Sequence, residues 1–272
     1  MKTIGASLRT LISGFGLLSV CLLFPSTALA AVEISLACTG DTHAMIYPCN
    51  CPREPDGGIA RRATLVKTLR GRNKDFLLVD SGSFFAGGPA DTYSQNSEVD
   101  KRRTLVNLRG LQSAGYDALA VGQDEFNFGT AFLEENIRMF GLPAVSANIK
   151  APFLKEFIIK DIAGMKIGIT SVASPSVSMK ATGIIVEDPL ESLKKAVEKM
   201  KASKARFIVL LSGLNEQDSR QAVKEIPEIK VVVFSKSAGD ENPQQYEGAL
   251  FLKPSWQGRH LIKADLSVED SN

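Results

Sequence analysis

The sequence predicts an α/β fold, because short runs rich in β-branched and aromatic residues alternate with stretches whose apolar residues recur at helical spacing, with turn residues between them. Length agrees: the 272 residues, less a leader, leave enough chain for one sizeable core and no room for a second large domain. No repeat, heptad or low-complexity tract breaks the pattern.

Residues 1–30 read as an export signal. Lys2 and Arg9 precede an apolar run from Leu11 to Phe24, followed by Pro25 and the small-residue site Ala28-Leu29-Ala30, with cleavage expected near Ala30. The run is shorter than the roughly 18 residues that suggest a membrane span. Membrane contact is therefore expected only while the signal is processed, and the mature chain, 31–272, is expected in the periplasm or outside the cell. A lipoprotein start at Cys21 is disfavoured by the bulk of Val20 and the apolar residues that follow.

Beyond the leader, 32–37 reads as a strand. After a loop rich in Pro and Gly, 59–69 reads as a helix and 76–79 as a strand. A helix over 102–114 leads into a strand at 118–121, a helix at 130–140 and a strand at 144–147. Strands at 157–160 and 166–172 flank Asp161-Ile162-Ala163-Gly164, a hairpin. Leu190, Leu193, Val197 and Met200 recur at helical spacing, so 189–201 is an amphipathic helix starting at Pro189. A strand at 207–211, a helix at 216–226 stopped by Pro227 and a strand at 231–234 follow, and 249–252 and 261–266 close the sheet.

The formal charge of +2 is carried by Lys2 and Arg9, which leaves the mature chain neutral. Nothing in it recommends a nucleic-acid partner, and the clusters Arg61-Arg62 and Lys101-Arg102-Arg103 read as solvated helix faces. Cys38, Cys49 and Cys51 remain after cleavage, an odd number for an oxidising compartment.

Ligands of open α/β sheets gather outside the carboxyl ends of the strands. Five segments fall there: Thr39-Gly40-Asp41-Thr42-His43, Asp80-Ser81-Gly82-Ser83, Gly122-Gln123-Asp124-Glu125, Ser212-Gly213-Leu214-Asn215 and Ser235-Lys236-Ser237-Ala238. In this order, with Gly57-Gly58-Ile59-Ala60-Arg61 between the first two and Val145-Ser146-Ala147-Asn148 and Gly258-Arg259-His260 further on, they resemble the metallophosphoesterases of the 5'-nucleotidase family. The resemblance runs from Ile34 to about Leu266 and implies a sandwich of two mixed β-sheets flanked by helices. It also implies two divalent ions that share a bridging carboxylate and activate a water.

The matching positions depart from that chemistry. Asp41 and His43 keep their ligand type. The bridging carboxylate is Ser83, the amide ligand is Gln123, the histidine after it is Asp124, and that residue's carboxylate partner is Asn127. The histidine of the fourth loop is Gly213, and the paired histidines of the fifth are Lys236 and Ala238. His43 and His260 are the only histidines, so imidazoles from elsewhere cannot repair the set, and an ammonium at Lys236 would repel a dication and pair with Asp41 or Asp124. A dinuclear site is not expected. The carboxyl-terminal domain with which family nucleotidases bind the nucleoside has no counterpart in the sequence, so nucleotide specificity has no visible source.

Thiols stand beside the surviving pair. The insertion 45–56 carries Cys49-Asn50-Cys51 between Pro48 and Pro52, which restrict it, and Cys38 ends the first strand. Three readings fit. Cys49 and Cys51, with His43 and either Asp41 or Cys38, form a site for one thiophilic or divalent ion. Or Cys49 and Cys51 are a strained, reducible redox couple serving a partner protein or a small molecule. Or a disulfide from Cys38 to Cys49 or Cys51 staples the loop. The overall expectation is an exported nucleotidase-like protein with a degenerate two-metal site, acting through Cys49 and Cys51, with a divergent phosphoester hydrolase or a non-enzymatic binding module as alternatives.

Overall fold

Residues 31–50, 52–235 and 242–269 are described by a computed structural model; the expected leader, Cys51 and the segment 236–241 lie outside them. In chain order the described residues form β1 (Ala31–Thr39), α1 (Ile59–Arg72), β2 (Phe76–Asp80), α2 (Ser97–Ala114), β3 (Ala118–Ala120), α3 (Thr130–Met139), β4 (Ala144–Val145) and β5 (Ile149–Lys150). There follow β6 (Ile158–Ile162), β7 (Met165–Ala173), β8 (Ile185–Val186), α4 (Pro189–Ala202) and β9 (Phe207–Gly213). The last elements are α5 (Glu216–Glu225), β10 (Ile229–Phe234), β11 (Gln244–Tyr246), β12 (Ala249–Leu252) and β13 (Ile262–Glu269).

Alternation along β1 sets the layers. Ile34, Leu36 and Cys38 face one way, where they meet Leu77 and Val79 of the same sheet and Ile167, Ile169, Val209, Leu211 and Val233 of a second one. Ala37 faces the other way, into a cluster with Leu78, Val66, Leu108, Leu111 and Phe84. The first sheet runs β13-β1-β2-β3-β4 and the second β11-β12-β10-β9-β7-β6. Helices α1, α2 and α3 cover the first sheet's outer face. On the second, Leu193, Val197 and Met200 of α4 and Ala222 and Val223 of α5 pack on Ile208, Leu210 and Val232. The result is the expected sandwich of two mixed sheets between helices, with parallel pairing through β1-β2-β3-β4 and β7-β9-β10-β12.

The hairpin forms at Ala163-Gly164, both at positive φ, as two-residue turns of the primed kind require. Two expectations shift. The last two strands close different sheets, β12 the second and β13, antiparallel to β1, the first. Helix α2 starts five residues before the expected Arg102, because the Asn96 side chain accepts the Val99 N–H and caps it there, as asparagine does at a helix start.

Candidate functional site

The carboxyl ends of the parallel strands bring the first loops to one edge, and backbone bonds lace them together. Asp41 N donates to Gly82 O at 2.9 Å, His43 N to Ser83 O at 2.8 Å and Ser81 N to Thr39 O at 2.9 Å. Ser81 Oγ donates to Phe234 O and so joins this edge to the second sheet. Gly40 makes the approach possible: a methyl group there would overlap Ser81 Oγ, so only hydrogen fits. Asp41, His43, Ala44 and Ser83 all hold positive φ. Non-glycine residues pay for that conformation and keep it where surrounding contacts dictate it, as at functional sites.

The two residues that keep a ligand's chemistry bond to each other. His43 Nε2 and Asp41 Oδ1 lie 2.8 Å apart, and both side chains are buried. Burial lowers the His43 pKa, but the bond to Asp41 and the charges of Asp41, Asp124 and Asp91 outweigh it and raise the value above the ordinary histidine range. His43 Nδ1 and Thr42 Oγ1 are buried without a hydrogen-bond partner among the described residues.

Four of the replaced positions, Ser83, Gln123, Asp124 and Asn127, make side-chain bonds of their own. Ser83 Oγ donates to Asp124 Oδ2 at 2.9 Å. Lys180 Nζ stands 3.9 Å from Asp124 Oδ1 and donates to Asn127 Oδ1 at 2.5 Å. Asn127 in turn donates Nδ2 to Ala86 O and Gly87 O. The Gln123 amide oxygen accepts from Ser176 Oγ at 3.3 Å. At Gly213, a Cβ would lie 3.1 Å from the Val172 carbonyl and 3.3 Å from Ala173 Cα, so an imidazole has no room without a backbone shift. Lys236 and Ala238 lie outside the described residues; among the described residues a positive charge near Asp124 is that of Lys180.

Behind the edge sits a second polar layer. Asp80 accepts Thr39 Oγ1 at 2.5 Å and Gly82 N at 2.9 Å, and Thr39 Oγ1 is 2.8 Å from Tyr116 OH. Burial raises the Asp80 pKa, which the bond from Thr39, the bond from Gly82 and the Arg62 guanidinium oppose. Glu125 is fully buried and accepts Phe84 N at 2.7 Å and Gly122 N at 2.8 Å. Its pKa is pushed from the ordinary 4.5 to about 7, mainly by burial and then by Asp124.

Three expectations are corrected here. Cys38 is neither a ligand nor a staple. It carries no disulfide and lies in the core between the sheets, where burial and then the Asp80 charge push its thiol pKa up. The period-two run Ile34, Leu36, Cys38 was the signal for that. Arg62 is not a solvated helix residue: it is buried, with its three guanidinium nitrogens lacking hydrogen-bond partners among the described residues. Nor is Arg103. Its guanidinium makes five bonds, to Asp91 Oδ1 and Oδ2, Asp100 Oδ1, Tyr93 O and His43 O. Arg102, by contrast, is exposed, as expected.

The cysteine insertion is held at several points. Cys49 N donates to Asp56 O at 2.7 Å and Asp56 N to Cys49 Sγ at 3.2 Å, closing the loop reciprocally. Ile59 N donates to Ile46 O, and Pro48 packs so closely on Gly58 that a side chain there would collide with it. Met45, Ile46, Tyr47 and Pro48 wall a cavity of about 280 Å³ with Tyr93 and Arg103. Cys49 is buried, and Cys51 lies outside the described residues.

Taken as a donor set, this edge does not suit a pair of divalent ions. Among the described residues no three His, Cys, Asp or Glu side chains are grouped to hold one metal, and the bridging position offers a hydroxyl already committed as a donor to Asp124. The thiolate-metal reading loses Cys38 and needs Cys51.

No protein-family model matches the chain. It is 30% identical over 242 residues to the trifunctional nucleotide phosphoesterase protein YfkN of Bacillus subtilis, over 77% of this chain and 17% of that one. It is 25% identical over 250 residues to a 5'-nucleotidase of Diplobatis ommata, over 85% of this chain and 41% of that one. The crystal structure of the calcineurin-like phosphoesterase YfkN from Bacillus subtilis superposes with a TM-score of 0.70 at 22% identity, covering 89% of this chain and 87% of that one. The chain thus spans less than half the length of these curated relatives.

Proposed function

We propose, on the premise that this chain belongs to the 5'-nucleotidase family of calcineurin-like phosphoesterases and has diverged within it, that it has exchanged two-metal hydrolysis for thiol–disulfide chemistry at Cys49 and Cys51 in an exported protein. The observation that carries this is the fate of the family's site positions: the bridging position is Ser83, which donates to Asp124, and Asn127 accepts from Lys180, while an insertion bearing Cys49 and Cys51 follows directly on His43 in the chain.

The chemistry is that of a dithiol. The Cys49 and Cys51 thiols give up two electrons and two protons to a disulfide of a partner protein; its S–S bond breaks to two thiols as the Cys49–Cys51 bond forms. The backbone N–H that Asp56 donates to Cys49 Sγ fixes the position of that sulfur in the loop. Buried Cys38 takes no part. Mature protein denatured after reduction should then titrate as three thiols, and after mild oxidation as one. Cys49→Ser should remove the reversible change. An unchanged thiol count between reduced and oxidised wild-type samples would sink the redox reading.

A second reading has specific support. Asp41 and His43 persist as adjacent ligand types, and the relatives above are named as phosphoesterases and nucleotidases; a divergent phosphoester hydrolase would retain them.

A further inference from the structure

We infer that Lys180 supplies, as a built-in ammonium, the positive charge that a divalent ion brings to this edge in the family, and that the turn carrying it closes the edge against metal. The inference rests on the loss of two-metal chemistry proposed above and is independent of the cysteines.

Asp124 puts a carboxylate where the family has a histidine, beside the edge. Its side chain is 9% exposed, and a buried carboxylate needs a counter-charge or donated hydrogen bonds. Both are present. Ser83 Oγ donates to one oxygen at 2.9 Å, and Lys180 Nζ lies 3.9 Å from the other. Asn127 fixes the ammonium: its Nδ2 is spent on Ala86 O and Gly87 O, which turns Oδ1 toward Lys180 at 2.5 Å. The neutral residues at the family's carboxylate positions are thus both committed: Ser83 donates to Asp124, and Asn127 accepts from Lys180.

The turn is built to hold the amine in place. The short 3-10 segment Pro175–Met179 is capped by Ser174, whose Oγ accepts Ser176 N, and Lys180 N donates to Val177 O. Val177 is buried in the core with Phe84 and Phe85. Ser176 reaches Gln123 and Lys180 reaches Asn127, so the turn is pinned to the third loop at both ends. A divalent ion at ligand distance from Asp124, roughly 2.0–2.2 Å, would sit within a few ångströms of the ammonium, where like charges repel strongly in a partly buried site.

The test is manganese binding by calorimetry with the purified chain. Wild type should bind none at millimolar Mn²⁺. Lys180→Met combined with Ser83→Asp should gain a site at least tenfold tighter than any wild-type signal, and a further Asp124→Asn should abolish it. A folded double variant that gains nothing would overturn the inference, as would wild-type binding lost in Asp124→Asn. Stability supplies a second readout that does not need the double variant to fold: Lys180→Met should cost clearly less in an Asp124→Asn background than in wild type, and Lys180→Arg should be tolerated. Additive effects would contradict the pairing. The thiol count of every variant should match wild type, which separates this result from the cysteine proposal.

Discussion

Arg103→Met is expected to lower the free energy of unfolding by about 3–5 kcal/mol, the cost of breaking a buried ion pair by removing one partner. Asp91 and Asp100 are almost wholly buried, and Arg103 is the cation bonded to both. Removing it strands two carboxylates that other bonds only partly satisfy: Asp91 accepts Gly87 N and Tyr93 N, and Asp100 accepts Ser94 Oγ and Gln95 N. The same substitution frees the His43 carbonyl. The loss should therefore reach the edge as well as the helix. Arg102→Met, one residue away and exposed, should cost under about 1 kcal/mol, since its bond to Glu98 is a surface pair. Urea unfolding of the two variants in parallel checks the contrast.

Glu125→Ala should cost a comparable amount, about 1–3 kcal/mol for each of the Phe84 and Gly122 N–H groups left unpaired. A pH dependence identifies the cause. The folded-state pKa of Glu125 is raised from 4.5 to about 7, so between these values the folded chain holds a proton that the unfolded chain has released. The corresponding stability is fully present below about pH 4.5 and is lost as pH rises through about 7. Wild-type stability should fall across that window. In Glu125→Gln the contribution of this residue to the slope should vanish, and melting curves from pH 4.5 to 7.5 compare the two.

Much of the fold was legible because its longer elements carry strong periodic signals, as in α4 with Leu193, Val197 and Met200 on one face. The short strands β5, β8 and β11 were not, since none of them sits in a longer apolar run such as those around β3 and β4. The start of α2 escaped for another reason. Its first turn, Ser97 to Asp100, is polar apart from Val99, and only the cap at Asn96 marks it.

At the site, the departures from the family's donor chemistry can be read position by position, because each is a change of residue type at a known place in the chain order. The bonds these residues make cannot. Lys180 lies 53 residues beyond Asn127, in a turn with no pattern of its own, and no local rule connects the two. Arg103 sat in a run of three basic residues, where only the buried acids it meets separate it from exposed Arg102. Cys38 is near Asp41 in sequence, but its place on the inward face of β1 with Ile34 and Leu36 puts it in the core.

The claim that this chain keeps a phosphoesterase fold but not the two-metal reaction is tested most directly by assaying manganese-loaded protein on a generic phosphoester. The account predicts no hydrolysis above the metal-containing buffer. Metal-dependent turnover that disappears in Asp41→Asn would contradict it and restore the hydrolase reading.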